Sequence, residues 1–94
     1  MNEDNNNFND KKDGAFATPE ASFNFFISTF AIQASIFLGQ IPNPVTNKNE
    51  ENLPQAKFII DTLDIIKEKT KGNLLKDEEE LLENTLYNLH RLSL

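Results

Sequence analysis

The apolar residues of the chain fall into three segments, and within each they recur at the spacing of an α-helix. The first segment, residues 18–39, holds five of the eight phenylalanines. This segment predicts a first helix over about 19–38, with Thr18 as N-cap, Pro19 in the first turn and Gly39 at its end. At about 100° per residue, one side of this helix is an apolar stripe made of Phe23, Phe26, Ile27, Phe30, Ala34, Phe37 and Leu38.

The opposite side of the first helix is apolar too. Phe25, Ile32 and Ile36 point roughly 180° away from the stripe, and small serines flank them. A helix that is apolar on two sides is predicted to be buried on two sides. Most of this second side follows the 3-4 spacing of coiled-coil a and d positions, at Phe25, Ser28, Ile32, Ser35 and Gly39, with Ile36 adjoining.

Two further helices are predicted, over about 53–71 and 77–92. The second has Asn52 as N-cap, ends near Gly72, and carries Phe58 and Ile65 away from its main stripe. The third has Asp77 as N-cap, with an acidic run in its first turn where the helix dipole favours anions. The main stripes are Leu53, Ala56, Ile59, Ile60, Leu63 and Ile66 in the second helix, and Leu81, Leu82, Thr85, Leu86, Leu89 and Leu92 in the third.

Similar helix lengths and short connections predict an all-α three-helix bundle with antiparallel neighbours. Residues 1–17 are rich in Asn and Asp and have few large apolar groups, so they are predicted to be a disordered tail. Residues 18–94 are then one small helical domain. In the loop between the first two helices, Ile41 and Val45 are expected to tuck against the bundle.

The composition of the chain disfavours several classes of function. A domain of about 75 residues often needs a disulfide, a metal or a partner subunit for stability. The chain has no cysteine, which excludes disulfides and is consistent with a cytoplasmic location. A partner subunit is therefore the most attractive source of added stability. The net charge of −6 disfavours nucleic acid and anionic membrane surfaces.

A membrane span is not the preferred interpretation of the first segment. Asn24, Ser28, Thr29, Gln33 and Ser35 interrupt the apolar run, and no basic cluster flanks it.

The chain offers no catalytic constellation and no metal or cofactor set. His90 is the only histidine, and Tyr87 stands where a Glu-x-x-His site needs a carboxylate. Glu83 is on the same face but two turns away. The glutamates at 78–80 point to different sides of a helix and cannot converge on one ion. We therefore expect no enzyme, no metal and no cofactor.

Several segments together resemble a known family. They are residues 37–44 (FLGQIPNP), residues 67–74 (KEKTKGNL) and the acidic run before Leu81 and Leu82. The chain is similar over about 23–92 to a family of short bacterial proteins known as a domain of unknown function. Members of that family usually have Thr where this chain has Leu75, which is why the cap of the third helix is predicted at Asp77. The resemblance implies a small helical cytoplasmic protein and no particular activity.

These observations favour a non-catalytic interaction or homo-oligomerisation module. Its partner would be a second copy or another protein, and not nucleic acid. Three alternatives stay open: a monomer whose first helix is covered on both sides by its own chain, a peripheral membrane protein using the Phe-rich helix, and a small ligand-binding bundle. The predicted interface comprises Phe25, Ser28, Ile32, Ser35, Ile36, Phe58 and Ile65.

Overall fold

The computed structural model describes residues 18–93 and contains three helices within them, α1 (Phe23–Phe37), α2 (Leu53–Lys69) and α3 (Lys76–Leu92). Each helix packs against both of the others. The predicted all-α three-helix bundle is confirmed. The predicted disordered tail, residues 1–17, lies outside the described residues and stays a prediction.

The predicted start of α1 was wrong by four residues. The helix begins at Phe23, and Ser22 is its N-cap, with extended backbone angles and a side-chain oxygen that accepts a hydrogen bond from the Phe25 amide at 3.0 Å. Thr18 and Pro19 lie before the helix and are exposed. Thr18 and Ser22 are both residue types that can cap a helix. The cap that forms is Ser22, which lies directly before the first of the helically spaced apolar residues.

The start of α2 agrees with the sequence-based prediction. The Asn52 side chain accepts a hydrogen bond from the Gln55 amide at 3.2 Å, so Asn52 is the N-cap. The helix ends at Lys69, two residues before the predicted end, and Gly72 follows in the left-handed region with φ of 82°. Lys67 and Lys69 occupy its last turn, where the helix dipole favours cations.

The predicted cap of α3 was wrong. Asp77 lies inside the first turn, and Leu75 occupies the N-cap position. A leucine side chain has no hydrogen-bond acceptor and cannot cap the helix amides. The helix start is held instead by the Glu78 carboxylate, which accepts a hydrogen bond from the Leu75 amide at 2.9 Å. This is half of a capping box, since it satisfies the amide of the cap residue and leaves the usual Ser or Thr bond unmade.

The core lies along the line where the three helices meet. Leu63 and Ile27 are completely buried, and Leu82 almost so. Leu53, which the helical spacing placed in the main apolar stripe of the second helix, is largely exposed, because it lies at the first position of α2. The buried apolar residues are Ile27, Ala34, Leu38, Ala56, Ile59, Ile60, Leu63, Leu82, Leu86 and Leu89.

The loop between α1 and α2 is held by polar groups. The Asn43 side chain accepts a hydrogen bond from the Val45 amide at 2.8 Å, and its backbone amide donates to the Lys48 carbonyl at 2.8 Å. The prediction that Ile41 and Val45 tuck against the bundle was wrong, because both are exposed. Asx-type turns such as this one fix the backbone without burying apolar side chains.

Candidate functional site

One face of α1 points away from the core and is apolar. Phe25, Thr29, Ile32 and Ile36 fall within about 60° of one another on a helical wheel, opposite the buried Ile27. We call these four residues the α1 stripe. Phe25 and Ile32 are 52% and 55% exposed, while Thr29 and Ile36 are half-buried. The stripe is therefore accessible to a partner.

The polar group within the α1 stripe is already satisfied. The Thr29 hydroxyl donates a hydrogen bond to the Phe25 carbonyl at 2.9 Å, one helical turn back. Because the hydroxyl is hydrogen-bonded to the backbone, a partner that covers Thr29 would not leave a buried donor without an acceptor. The sequence has no charged residue between Glu20 and Lys48, so α1 carries none. The whole stripe can lose water without burying a charge.

A second outward row on α2 repeats the same spacing 33 positions later. Phe58, Thr62, Ile65 and Lys69 correspond in order to the four residues of the α1 stripe, and we call them the α2 stripe. Phe58 and Ile65 are 64% and 59% exposed. The Thr62 hydroxyl donates to the Phe58 carbonyl at 2.7 Å, as Thr29 does in α1. The two stripes differ in their fourth residue and in their surroundings.

Charged side chains flank the α2 stripe. Asp61 and Glu68 stand at the positions that Ser28 and Ser35 occupy beside the α1 stripe, again with an offset of 33. Asp61 also accepts a hydrogen bond from Lys57, one turn earlier. That hydrogen bond, together with the attraction of the carboxylate, raises the pKa of Lys57 above its usual value. The α2 stripe is thus set in a solvated ionic surface.

The predicted interface residues therefore divide into two groups. Five of them lie on or beside the outward face of α1, with Ser28 exposed and Ser35 half-buried. Phe58 and Ile65 are exposed on a different helix. Phe25 and Ile32 are not covered by residues 18–93, so within this part of the chain the alternative of a first helix buried on both sides is not supported. Sequence reasoning missed Thr29, although its spacing from Phe25 and Ile32 was readable in the sequence.

His90 has a partner that the sequence did not suggest. Its Nε2 lies 3.0 Å from an oxygen of Asp64, which joins α3 to α2 at the surface. Both side chains are about half exposed, so the pair adds little stability. Asp64 and His90 border a shallow groove between α2 and α3, whose other lining residues are Lys67, Glu83, Leu86, Tyr87 and Arg91.

The part of the chain that the structure describes shows no metal-binding arrangement, in the groove or elsewhere. Within residues 18–93, no three His, Cys, Asp or Glu side chains are grouped closely enough to hold an ion. A different polar feature lies at the start of α1, where the Asn24 amide nitrogen is 3.4 Å from an Asp77 oxygen. The Asn24 carbonyl oxygen is buried without a hydrogen-bond partner among the described groups. This contact joins α1 to the first turn of α3 and suggests no ligand.

None of the three described helices has the length and apolar character required to cross a membrane. Fold and surface together define a small three-helix domain that presents an uncharged apolar helix face. A family profile described as "Domain of unknown function (DUF1844)" matches residues 20–92, and the chain belongs to that family. No curated protein and no solved structure gives a significant match.

Proposed function

We propose that this protein is a non-catalytic interaction module that binds an uncharged, apolar helix of another polypeptide through the α1 stripe. The observation that carries the proposal is the exposure of Phe25 and Ile32 on a helix without a single charge. Isolated exposed apolar residues are ordinary on protein surfaces. Here they are aligned along one helix face, which is typical of helix-to-helix recognition.

The gain from covering the α1 stripe is appreciable for so small a domain. Fully burying a Phe or Ile side chain is worth about 1.5–3 kcal/mol. Since Phe25 and Ile32 are each about half exposed, covering both contributes about 1.5–3 kcal/mol in total. The half-buried Ile36 adds to this. The partner's own apolar residues contribute in the same way, which gives a gross gain of about 3–6 kcal/mol. Because association costs about 4 kcal/mol or more in lost translational and rotational freedom, we expect a weak and reversible complex.

A polypeptide partner fits this face better than a lipid surface. Interfacial helices usually carry Lys or Arg on their polar side, where these residues meet anionic headgroups. The chain has no basic residue from position 21 to 47, and its net charge is −6. Binding of an apolar helix, by contrast, requires only that the two surfaces fit in shape and that no charge lies in the contact. The groove beside His90 is shallow and mixes both charge signs, so it gives less reason to propose a small-molecule site.

Site-specific photocrosslinking in the native cell tests the proposal. A photoreactive amino acid is placed at Ile32 in the full chain, with Asn84 on the exposed side of α3 as the matched control position. We expect a discrete protein adduct at Ile32 and none at Asn84. Adding Phe25→Glu to the Ile32 variant should abolish the adduct, because the charge would be buried in the contact. Equal labelling at both positions, or no adduct at Ile32, would contradict the proposal.

A further inference from the structure

We propose that the helix bound by the α1 stripe is α1 of a second copy, packed antiparallel to the first. This inference rests on the proposed function and adds the identity and direction of the partner. Three features carry it: the symmetry of the spacing within the α1 stripe, the absence of charge around it, and the contrast with the α2 stripe.

The spacing within the α1 stripe reads the same in both directions. Its residues are separated by four, three and four positions. When a second α1 is laid antiparallel across the first, Phe25 faces Ile36 of the other copy, and Thr29 faces Ile32. Each contact in the centre then joins a small side chain to a larger one. An interface between identical chains must be self-complementary in this way, because one patch contacts itself about a two-fold axis.

The charge distribution permits this pairing at α1. Two copies of a chain with a net charge of −6 repel each other, least so where no charged groups meet. Ser28 and Ser35 flank the α1 stripe, and their small side chains allow two helices to approach closely. The Thr29 hydroxyl is satisfied within its own helix, so the dry contact leaves no unpaired donor there.

The α2 stripe is a useful comparison within the same chain, because its charged neighbours make the same antiparallel pairing unfavourable. It has the same first three residue types, but antiparallel pairing would bring Asp61 and Glu68 of both copies to the edge of the contact. These carboxylates, and the Lys69 ammonium within the stripe, would lose water on association. In α1 the positions that correspond to the two carboxylates are serines. Residues 18–93 therefore present two similar apolar rows, and of these two the α1 stripe is free of this penalty.

The size of the contact predicts a reversible dimer. α1 has 15 residues, so it is about 22 Å long, and a helix is about 10 Å wide. A strip of these dimensions buries less than the ~800 Å² per partner of a standard interface. We therefore expect monomer and dimer to exchange, with the dimer fraction rising with concentration.

Sedimentation velocity of the full chain at increasing concentration tests the partner. The decisive variants are Ile32→Glu and Ile65→Glu, since these isoleucines have nearly equal exposure and the same place in their stripes. The native protein and Ile65→Glu should dimerise, and Ile32→Glu should weaken the dimer at least about tenfold. Ser28→Asp places beside the α1 stripe the same charge that Asp61 places beside the α2 stripe. Because Ser28 is exposed, the fold tolerates this change, and the dimer should again be weakened. Circular dichroism confirms that each variant is folded.

Disulfide crosslinking tests the direction of packing. The chain has no cysteine, so an introduced one is unique. Thr29→Cys protein, enlarged by a tag, is mixed with untagged Ile32→Cys protein and oxidised. Antiparallel packing predicts that the mixed disulfide exceeds both homodimeric disulfides. Parallel packing predicts the reverse, because each residue would face its own copy, and this result would overturn the arrangement.

Other outcomes separate this inference from the proposed function. A native chain that remains monomeric at all concentrations overturns the second copy as partner, and so does loss of the dimer in Ile65→Glu but not in Ile32→Glu. If the Ile32 photoadduct then contains a different protein, the proposed function stands without the inference. An adduct that maps to residues 1–17 of the same chain overturns both, since the tail would be the occupant of the stripe.

Discussion

Leu63→Ala should destabilise the domain much more than the same change at an exposed leucine, because Leu63 is completely buried where the three helices meet. The change removes three carbons and leaves a cavity, which costs about 2.7–5 kcal/mol in well-packed cores. At 0.05–0.15 kcal/mol per residue, the 76 described residues have a total stability of about 4–11 kcal/mol. The loss is thus a large part of the whole, and corresponds to a drop in Tm of at least about 10 °C.

The matched control is Leu53→Ala, in the same helix. Leu53 is largely exposed, so the same change of residue type should cost less than about 1 kcal/mol. Urea unfolding followed by circular dichroism gives both free energies, at one fixed protein concentration because any dimer makes stability depend on it. A cost under about 1 kcal/mol for Leu63→Ala, or equal destabilisation of the two variants, would contradict the central place of Leu63 in the core.

Three further predictions use the same unfolding assay. Ser22→Ala should cost about 1 kcal/mol and Thr18→Ala almost nothing, since Ser22 caps α1; the opposite order would contradict the cap. Gly39→Ala should lower the free energy of unfolding more than Gly72→Ala does. Both glycines have positive φ, but only at Gly39 would the new Cβ lie 2.9 Å from the Glu51 side chain. Equal losses of stability would contradict that contact. Deletion of residues 1–15 should leave Tm within a couple of degrees; a large drop would show that the tail contributes to stability.

The helices were predictable because their main signal, apolar residues at helical spacing, arises from the burial that stabilises them. Ile27, Leu63 and Leu82 are buried where the pattern placed them. The ends were less predictable, because several neighbouring residues have the right chemistry for a cap. Thr18 and Ser22 are both good caps by type, and only the packing of Phe23 onto the core selects between them.

The candidate site was predictable in part for the same reason. From the sequence alone, helical spacing places Phe25, Ile32 and Ile36 opposite the core. Pairing across helices was not predictable, since the contact between Asp64 and His90 spans 26 positions and depends on how α2 and α3 meet. Val45 is a case in which the sequence pattern misled. Its apolar side chain suggested burial, but it lies in a hydrogen-bonded turn and is 89% exposed.

The two stripes also bear on why α1 is so apolar. The exposed halves of the Phe25 and Ile32 side chains gain nothing from folding, because that surface is exposed in the unfolded chain as well. The fold alone would accept charged residues there, as it does at Asp61 and Glu68 beside the α2 stripe. The uncharged surroundings of the α1 stripe are thus not required for the bundle to form, and they become favourable only when that face is covered.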